Sequence, residues 1–138
     1  MASGKLAHRV GVNFIADYTE EEKRLLLNPY RPANVRGAFE PKKLEPIPDV
    51  LNWTQEGVVN PVGDQGMCGS CYAFSAIGAF EGAVAIQMGK LEQFSIQQLI
   101  DCSEDNHGCS GGYISQALEF FKNNCVCTTK EYGEYTKR

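Results

Sequence analysis

Cationic charge, histidine and long apolar runs are scarce in these 138 residues. Lys and Arg number 13 against 17 Asp and Glu, a formal net charge of -4, and no basic stripe interleaved with aromatics occurs. Nucleic-acid binding rests on clustered cations, so that class of partner is excluded as an expectation. No run approaches a transmembrane span, and Met1–Val10 has no apolar core of signal-peptide type. No membrane partner and no signal peptide in this chain are therefore expected. Internal repeats and low-complexity tracts are also missing. Only His8 and His107 can supply an imidazole. His107 lies in the Ser103–Gly108 loop between two cysteines and reads as a solvated side chain.

Cysteine, by contrast, is plentiful: 6 residues, many for a cytosolic chain of this size, which suggests an oxidising or vesicular compartment. The most informative stretch is Cys68-Gly69-Ser70-Cys71-Tyr72-Ala73-Phe74. Cys71 opens an apolar helical run, and the positive end of a helix favours a thiolate over a thiol. Gln65 lies 6 residues upstream, inside Pro61-Val62-Gly63-Asp64-Gln65-Gly66. A thiolate near an amide donor is a start for acyl transfer, nucleophile plus oxyanion donor. Two other classes share the Cys68-x-x-Cys71 spacing. A redox pair expects a preceding strand, and Pro61-Val62-Gly63-Asp64 makes a poor one. A zinc site has enough ligands when Cys102, His107 and Cys109 are added. A disulfide reading stands ahead of both.

The rest of the chain reads as short helices. Cys71 to Met88 is apolar almost all round, which predicts a helix buried on most sides, with Gly89 as its left-handed cap. Ser95 and Gln98 have capping-box spacing and start a second helix through about Asp101. Ser115 caps a third, with Ala117, Leu118, Phe120 and Phe121 on its buried side and Asn123-Asn124 as its stop. Near the N-terminus, Val10 to Asp17 reads as a short strand. Thr19 and Glu22 form a capping box for a helix that carries Leu25, Leu26 and Leu27 and ends before Asn28-Pro29. Asn28 to Pro48 holds 5 of the 6 prolines, which favours an extended, partly polyproline path.

Taken in order, these residues resemble papain-like cysteine peptidases of the cathepsin type. Gly11, Asn13, Ile15 and Asp17 are similar to the Gly-x-Asn-x-Phe-x-Asp pattern of the inhibitory propeptide. Ile47 to Trp53 resembles the mature N-terminus, Ser95 to Cys102 the second helix, and Cys109-Ser110-Gly111-Gly112-Tyr113 the Cys-Asn-Gly-Gly turn. Tyr72 replaces the commoner tryptophan and Ile96 the usual glutamate, while Tyr132-Gly133-Glu134-Tyr135 blurs the family's Tyr-Pro-Tyr.

The resemblance implies an α+β fold, a helical lobe against a barrel-like lobe, of which this chain supplies mainly the helical left lobe with the second lobe absent. Residues 1–46 would be a propeptide-like segment and linker, lying along the cleft until a cut between Phe39 and Ile47. Residues 47–138 would be the N-terminal half of the peptidase domain. Cys71 would be the nucleophile and Gln65 an oxyanion donor. Gly69, Gly111, Gly112, Tyr113 and Ile114 would hold substrate, and Cys68 would pair with Cys109. The family partner of Cys102 falls past Arg138, leaving Cys102 free or paired with Cys125 or Cys127. The general-base histidine, about 130–150 residues beyond the cysteine, also falls past Arg138. The expected function is a cysteine endopeptidase, here truncated and inactive alone. The alternative is a non-catalytic protein that inhibits related peptidases. Activity after assembly with a separate histidine-bearing chain is a third route. No cofactor and no metal are expected. The expected partners are a peptide or protein substrate, the chain's own propeptide and the missing C-terminal lobe. The implied location is lysosomal, vacuolar or secreted.

Overall fold

One long helix organises the chain. A computed structural model describes residues 11–27 and 48–138. The helices are α1 Glu20–Leu26, α2 Cys71–Met88, α3 Ile96–Cys102, α4 Ile114–Asn123 and α5 Thr129–Tyr132. A single 3-10 turn, Gly108–Ser110, lies between α3 and α4. Strand-type pairing among the described residues is confined to one antiparallel bridge, Phe94 to Thr128. The expected linker and the cleavage region fall in residues 28–47, outside the described residues.

Helix α2 buries Tyr72, Ala73, Ala76, Ile77, Glu81 and Ala85, a stripe at helical spacing. Leu99 of α3 and Ala117 of α4 close over it, ringed by Phe94, Ile96, Ile100, Phe120, Phe121 and Val126. Each fully buried Ile or Leu contributes about 1.5–3 kcal/mol relative to exposure. Phe80 meets Phe94 edge-on at 5.0 Å and Phe121 in a tilted arrangement at 4.9 Å. Gly89 ends the helix in the left-handed conformation, φ 68°, as its lack of a Cβ permits.

Burial of α2 departs from expectation. It is buried along one stripe, and Ile86 and Met88 on the same helix are exposed. By length and composition α2 also reaches the threshold of a membrane span, contrary to the reading that no run approaches one. Its middle, however, carries Glu81, buried and accepting the Phe94 N–H at 2.8 Å, and α3 and α4 pack on it. A helix so covered, with a carboxylate at its centre, has the character of a core helix.

Smaller departures have local causes. Val12 to Asp17 is not a strand: Asn13 Oδ1 accepts the Ile15 N–H at 3.2 Å and residues 14–17 turn. The Thr19–Glu22 capping box forms as expected. Ser95 caps α3 through the Gln98 N–H, but the Gln98 side chain does not return the bond. It donates to Cys125 O at 2.9 Å and accepts the Cys127 N–H at 2.8 Å, fastening the loop after α4 onto α3. Helix α4 begins at Ile114, one residue before Ser115, and has no side-chain cap. Leu118, expected inside, is 47% exposed. A capping box from Thr128 to Glu131 starts α5, which had no sequence expectation.

Candidate active site

Three contacts hold the start of α2 to the 3-10 turn. The Cys68–Cys109 disulfide, with Cα atoms 4.6 Å apart, ties the residues before the helix to the 3-10 turn. Beside it the Gly69 N–H donates to Cys109 O at 2.8 Å. A Cβ on Gly69 would lie 2.6 Å from that carbonyl oxygen, so only glycine permits this approach. Tyr72, buried under the turn, donates its hydroxyl to Gly108 O at 3.3 Å, and burial pushes its pKa up to about 12.

Cys71 is the first residue of α2, half-buried and outside any disulfide. Ser70 precedes it without a side-chain cap bond. The Ser70 hydroxyl instead meets the Tyr135 hydroxyl at 2.7 Å. Tyr135 donates to Gln65 O at 2.7 Å and stacks edge-on against Phe74 at 5.1 Å. One phenol thus clamps the Gln65 loop to the residue preceding Cys71. Its pKa is raised, chiefly by burial. Lys137 reaches Asp64 Oδ2 at 2.6 Å from the same tail, and its hydrogen bond holds the Asp64 carboxyl below its ordinary value.

Gln65 and Cys71 line one groove of about 430 Å³, together with Phe74, Ser75, Gly78 and Glu81 of α2. The Gln65 amide is already engaged: Nε2 donates to Cys68 O at 2.9 Å and to Leu26 O at 3.2 Å. Leu26 belongs to α1, so the N-terminal arm delivers a peptide carbonyl to this donor. A second hollow of about 520 Å³ lies between Phe14, Ile15 and Tyr18 of the arm and residues 63–67.

The paired glycines do not line the 430 Å³ groove. Buried Asn106 organises them: its Oδ1 accepts the Tyr113 N–H at 2.7 Å and its Nδ2 donates to Ser103 Oγ at 2.8 Å. The His107 N–H donates to Gly111 O at 2.9 Å. A Cβ on Gly112 would fall 2.2 Å from Asn106 Oδ1, so any larger residue there displaces the Asn106 carboxamide. Ile114 opens α4, 48% exposed. Disulfide formation removes Cys68 and Cys109 from the zinc and redox alternatives, and Cys102, Cys125 and Cys127 are free thiols. Sequence reasoning missed Tyr135 and Asn106. An asparagine beside a glycine turn is a turn signal, whereas the blurred Tyr132-Gly133-Glu134-Tyr135 stretch gave no sign of the contacts Tyr135 makes.

This arrangement defines a class, a helical lobe with a thiol at the head of its central helix and an amide beside it, and known proteins share it. Residues 47–138 match the family described as Papain family cysteine protease. Rat (Rattus norvegicus) procathepsin L is 40% identical over 97% of this chain, which covers 41% of the rat protein. The structure of digestive procathepsin L2 proteinase from Tenebrio molitor larval midgut superposes with a TM-score of 0.82, at 30% identity over 96% of this chain and 46% of that one. The Carica candamarcensis cysteine protease CMS1MS2 in complex with E-64 gives a TM-score of 0.64, at 40% identity over 66% of this chain and 42% of that one. The chain belongs to the papain family of cysteine proteases. Its described part is the helical lobe of that fold, and it spans about two-fifths of the rat relative's length.

Proposed function

We propose that this chain is the propeptide tail and helical half of a cysteine endopeptidase, with Cys71 as nucleophile and the Gln65 amide as oxyanion donor. The observation that carries the reading is the bond from Gln65 Nε2 to Leu26 O. An amide that donates to a visiting peptide carbonyl from the arm has the chemistry to donate to one from a substrate. The arm then acts as the inhibitor, filling the donor until it is removed. Residues 1–46 form this segment and 47–138 the peptidase half, a division supported by where the family match begins.

In the reaction the Cys71 thiolate attacks the scissile carbonyl, and the oxygen takes the charge between Gln65 Nε2 and the Cys71 N–H. Removing one such donor costs about 2.7–4 kcal/mol of transition-state stabilisation in other proteases. The leaving amine still requires a proton donor. No histidine stands among the described residues lining the groove, and the expectation is that this chain alone binds substrate and is alkylated at Cys71 without turnover. The Gly69, Gly111–Gly112, Tyr113 and Ile114 unit would align the extended substrate by backbone pairing. The disulfide favours a lysosomal, vacuolar or secreted location.

A peptidyl epoxide of the E-64 type tests the reading. It is expected to modify Cys71 ahead of the more exposed Cys102 and Cys125, located by peptide mass mapping, and the modification is lost in Cys71→Ser. Labelling ordered by exposure alone would remove Cys71 from the nucleophile's role. Nanomolar inhibition of a cathepsin-type enzyme by the unlabelled chain would instead support the inhibitory alternative.

A further inference from the structure

Asn52-Trp53-Thr54 carries a chemistry that none of these readings uses. Asparagine two residues before threonine, with no proline between, is the acceptor tripeptide for N-linked glycan transfer. All three residues are exposed, at the start of the turn over residues 53–57. Asn52 Oδ1 accepts the Thr54 N–H at 3.0 Å, which holds the carboxamide beside the threonine. The Gln55 and Glu56 N–H groups close the turn on Asn52 O at 2.9 and 3.1 Å. Among the described residues Nδ2 has no hydrogen-bond partner, so the reacting atom faces solvent on a formed surface turn. The Cys68–Cys109 bridge supplies the second observation: a chain that closes a disulfide has folded in an oxidising compartment, where glycan transfer also takes place.

We propose that Asn52 is an N-glycosylation site. The co-reactant is a lipid-diphosphate-linked oligosaccharide. Asn52 Nδ2 attacks the anomeric carbon of its first sugar and the N–C bond forms. The bond from that carbon to the diphosphate oxygen breaks, and the lipid diphosphate leaves with the electron pair. Nδ2 gives up one proton to a basic group of the transferase. The glycan then stands among Val50, Leu51 and Trp53, all exposed apolar residues, and covers them with polar surface. This inference goes beyond the peptidase reading and holds whether or not Cys71 is a nucleophile; it shares only the location proposed above.

The whole chain is produced behind a cleavable secretory leader in a eukaryotic host, with a second acceptor tripeptide in a C-terminal tag. Glycan on the tag marks every molecule that reached the lumen. Those molecules are expected to carry one further endoglycosidase-sensitive mobility shift, and enzymatic release is expected to leave aspartate at position 52 by mass mapping. Asn52→Gln and Thr54→Val should each abolish the shift completely. Thr54→Val keeps the backbone N–H that Asn52 accepts, and Thr54→Ser should retain the shift. Tag-glycosylated chain that is bare at position 52 overturns the proposal, as does a further shift that survives both substitutions. Cys71 labelling plays no part in the readout, so a failure here is separable from a failure of the peptidase reading.

Discussion

Gln65 uses one carboxamide for two carbonyls, Cys68 O within its own loop and Leu26 O on the arm. The first bond shapes the loop and the second ties the arm down. Gln65→Ala removes both, and the expected result is faster amide exchange across α1 with α2 unchanged. Equal protection of α1 in the variant would show that the arm is held by other contacts. Tyr135 is the second residue on which the site depends. Its hydroxyl joins Gln65 O to the wholly buried Ser70, whose other contact, to Cys68 O, is long at 3.5 Å. Tyr135→Phe keeps the ring against Phe74 and strands a buried hydroxyl, at a cost of about 1–3 kcal/mol. A denaturant midpoint unmoved by Tyr135→Phe would contradict the clamp.

Among the elements, the two capping boxes and the tail share an electrostatic origin. The Glu22 and Glu131 carboxyls lie below their ordinary value of 4.5, held there first by the backbone N–H groups of Thr19 and Thr128. Asp64 is lowered first by its hydrogen bond from Lys137. Carboxyls depressed in the folded state add stability that is complete above the unfolded value and disappears as pH falls through the folded one. The expectation is that α1, α5, the tail and the end of α4, where Glu119 is also lowered, first by its hydrogen bond from Asn123, loosen on acidification below about pH 4.5 while α2 and α3 stay protected, as read by exchange against pH. Uniform loss of protection would count against separate attachment. These elements also show what could be read in advance. Helix α2 and its Gly89 stop were legible because an alanine-rich run and a left-handed glycine are local signals. The start of α4 was not, because the Tyr113 N–H is taken by Asn106 from an earlier loop. The Gln98 side chain misled for the same reason: its spacing matched a cap, but the carbonyl and amide of a distant loop took it. Cys71 and Gln65 could be proposed from motif and spacing; the clamp made by Tyr135 bridges a sequence separation of 70 and is visible only in the fold.

The whole molecule leaves much apolar surface open. Val50, Val62 and Met88 are among its most exposed side chains. Exposed apolar side chains drive association where they cluster, so concentration-dependent oligomers are expected in sedimentation; a monodisperse, cooperatively melting monomer would argue that this surface is quiet. The Cys68–Cys109 bridge joins parts of the chain 41 residues apart. Losing it through Cys68→Ala should cost about 2–4 kcal/mol, read as a lowered melting temperature. On the secretory route proposed above, the buried acid of α2 has a last consequence, before the chain folds. A segment as long and greasy as Cys71–Met88 invites a translocation channel to release it sideways into lipid. A carboxylate at the midpoint adds about 3 kcal/mol against that release. On that route Glu81 is expected to favour full passage, and Glu81→Leu should turn the segment into a stop-transfer sequence in a microsomal translocation assay. Full passage of the leucine variant would show that the acid matters only after folding.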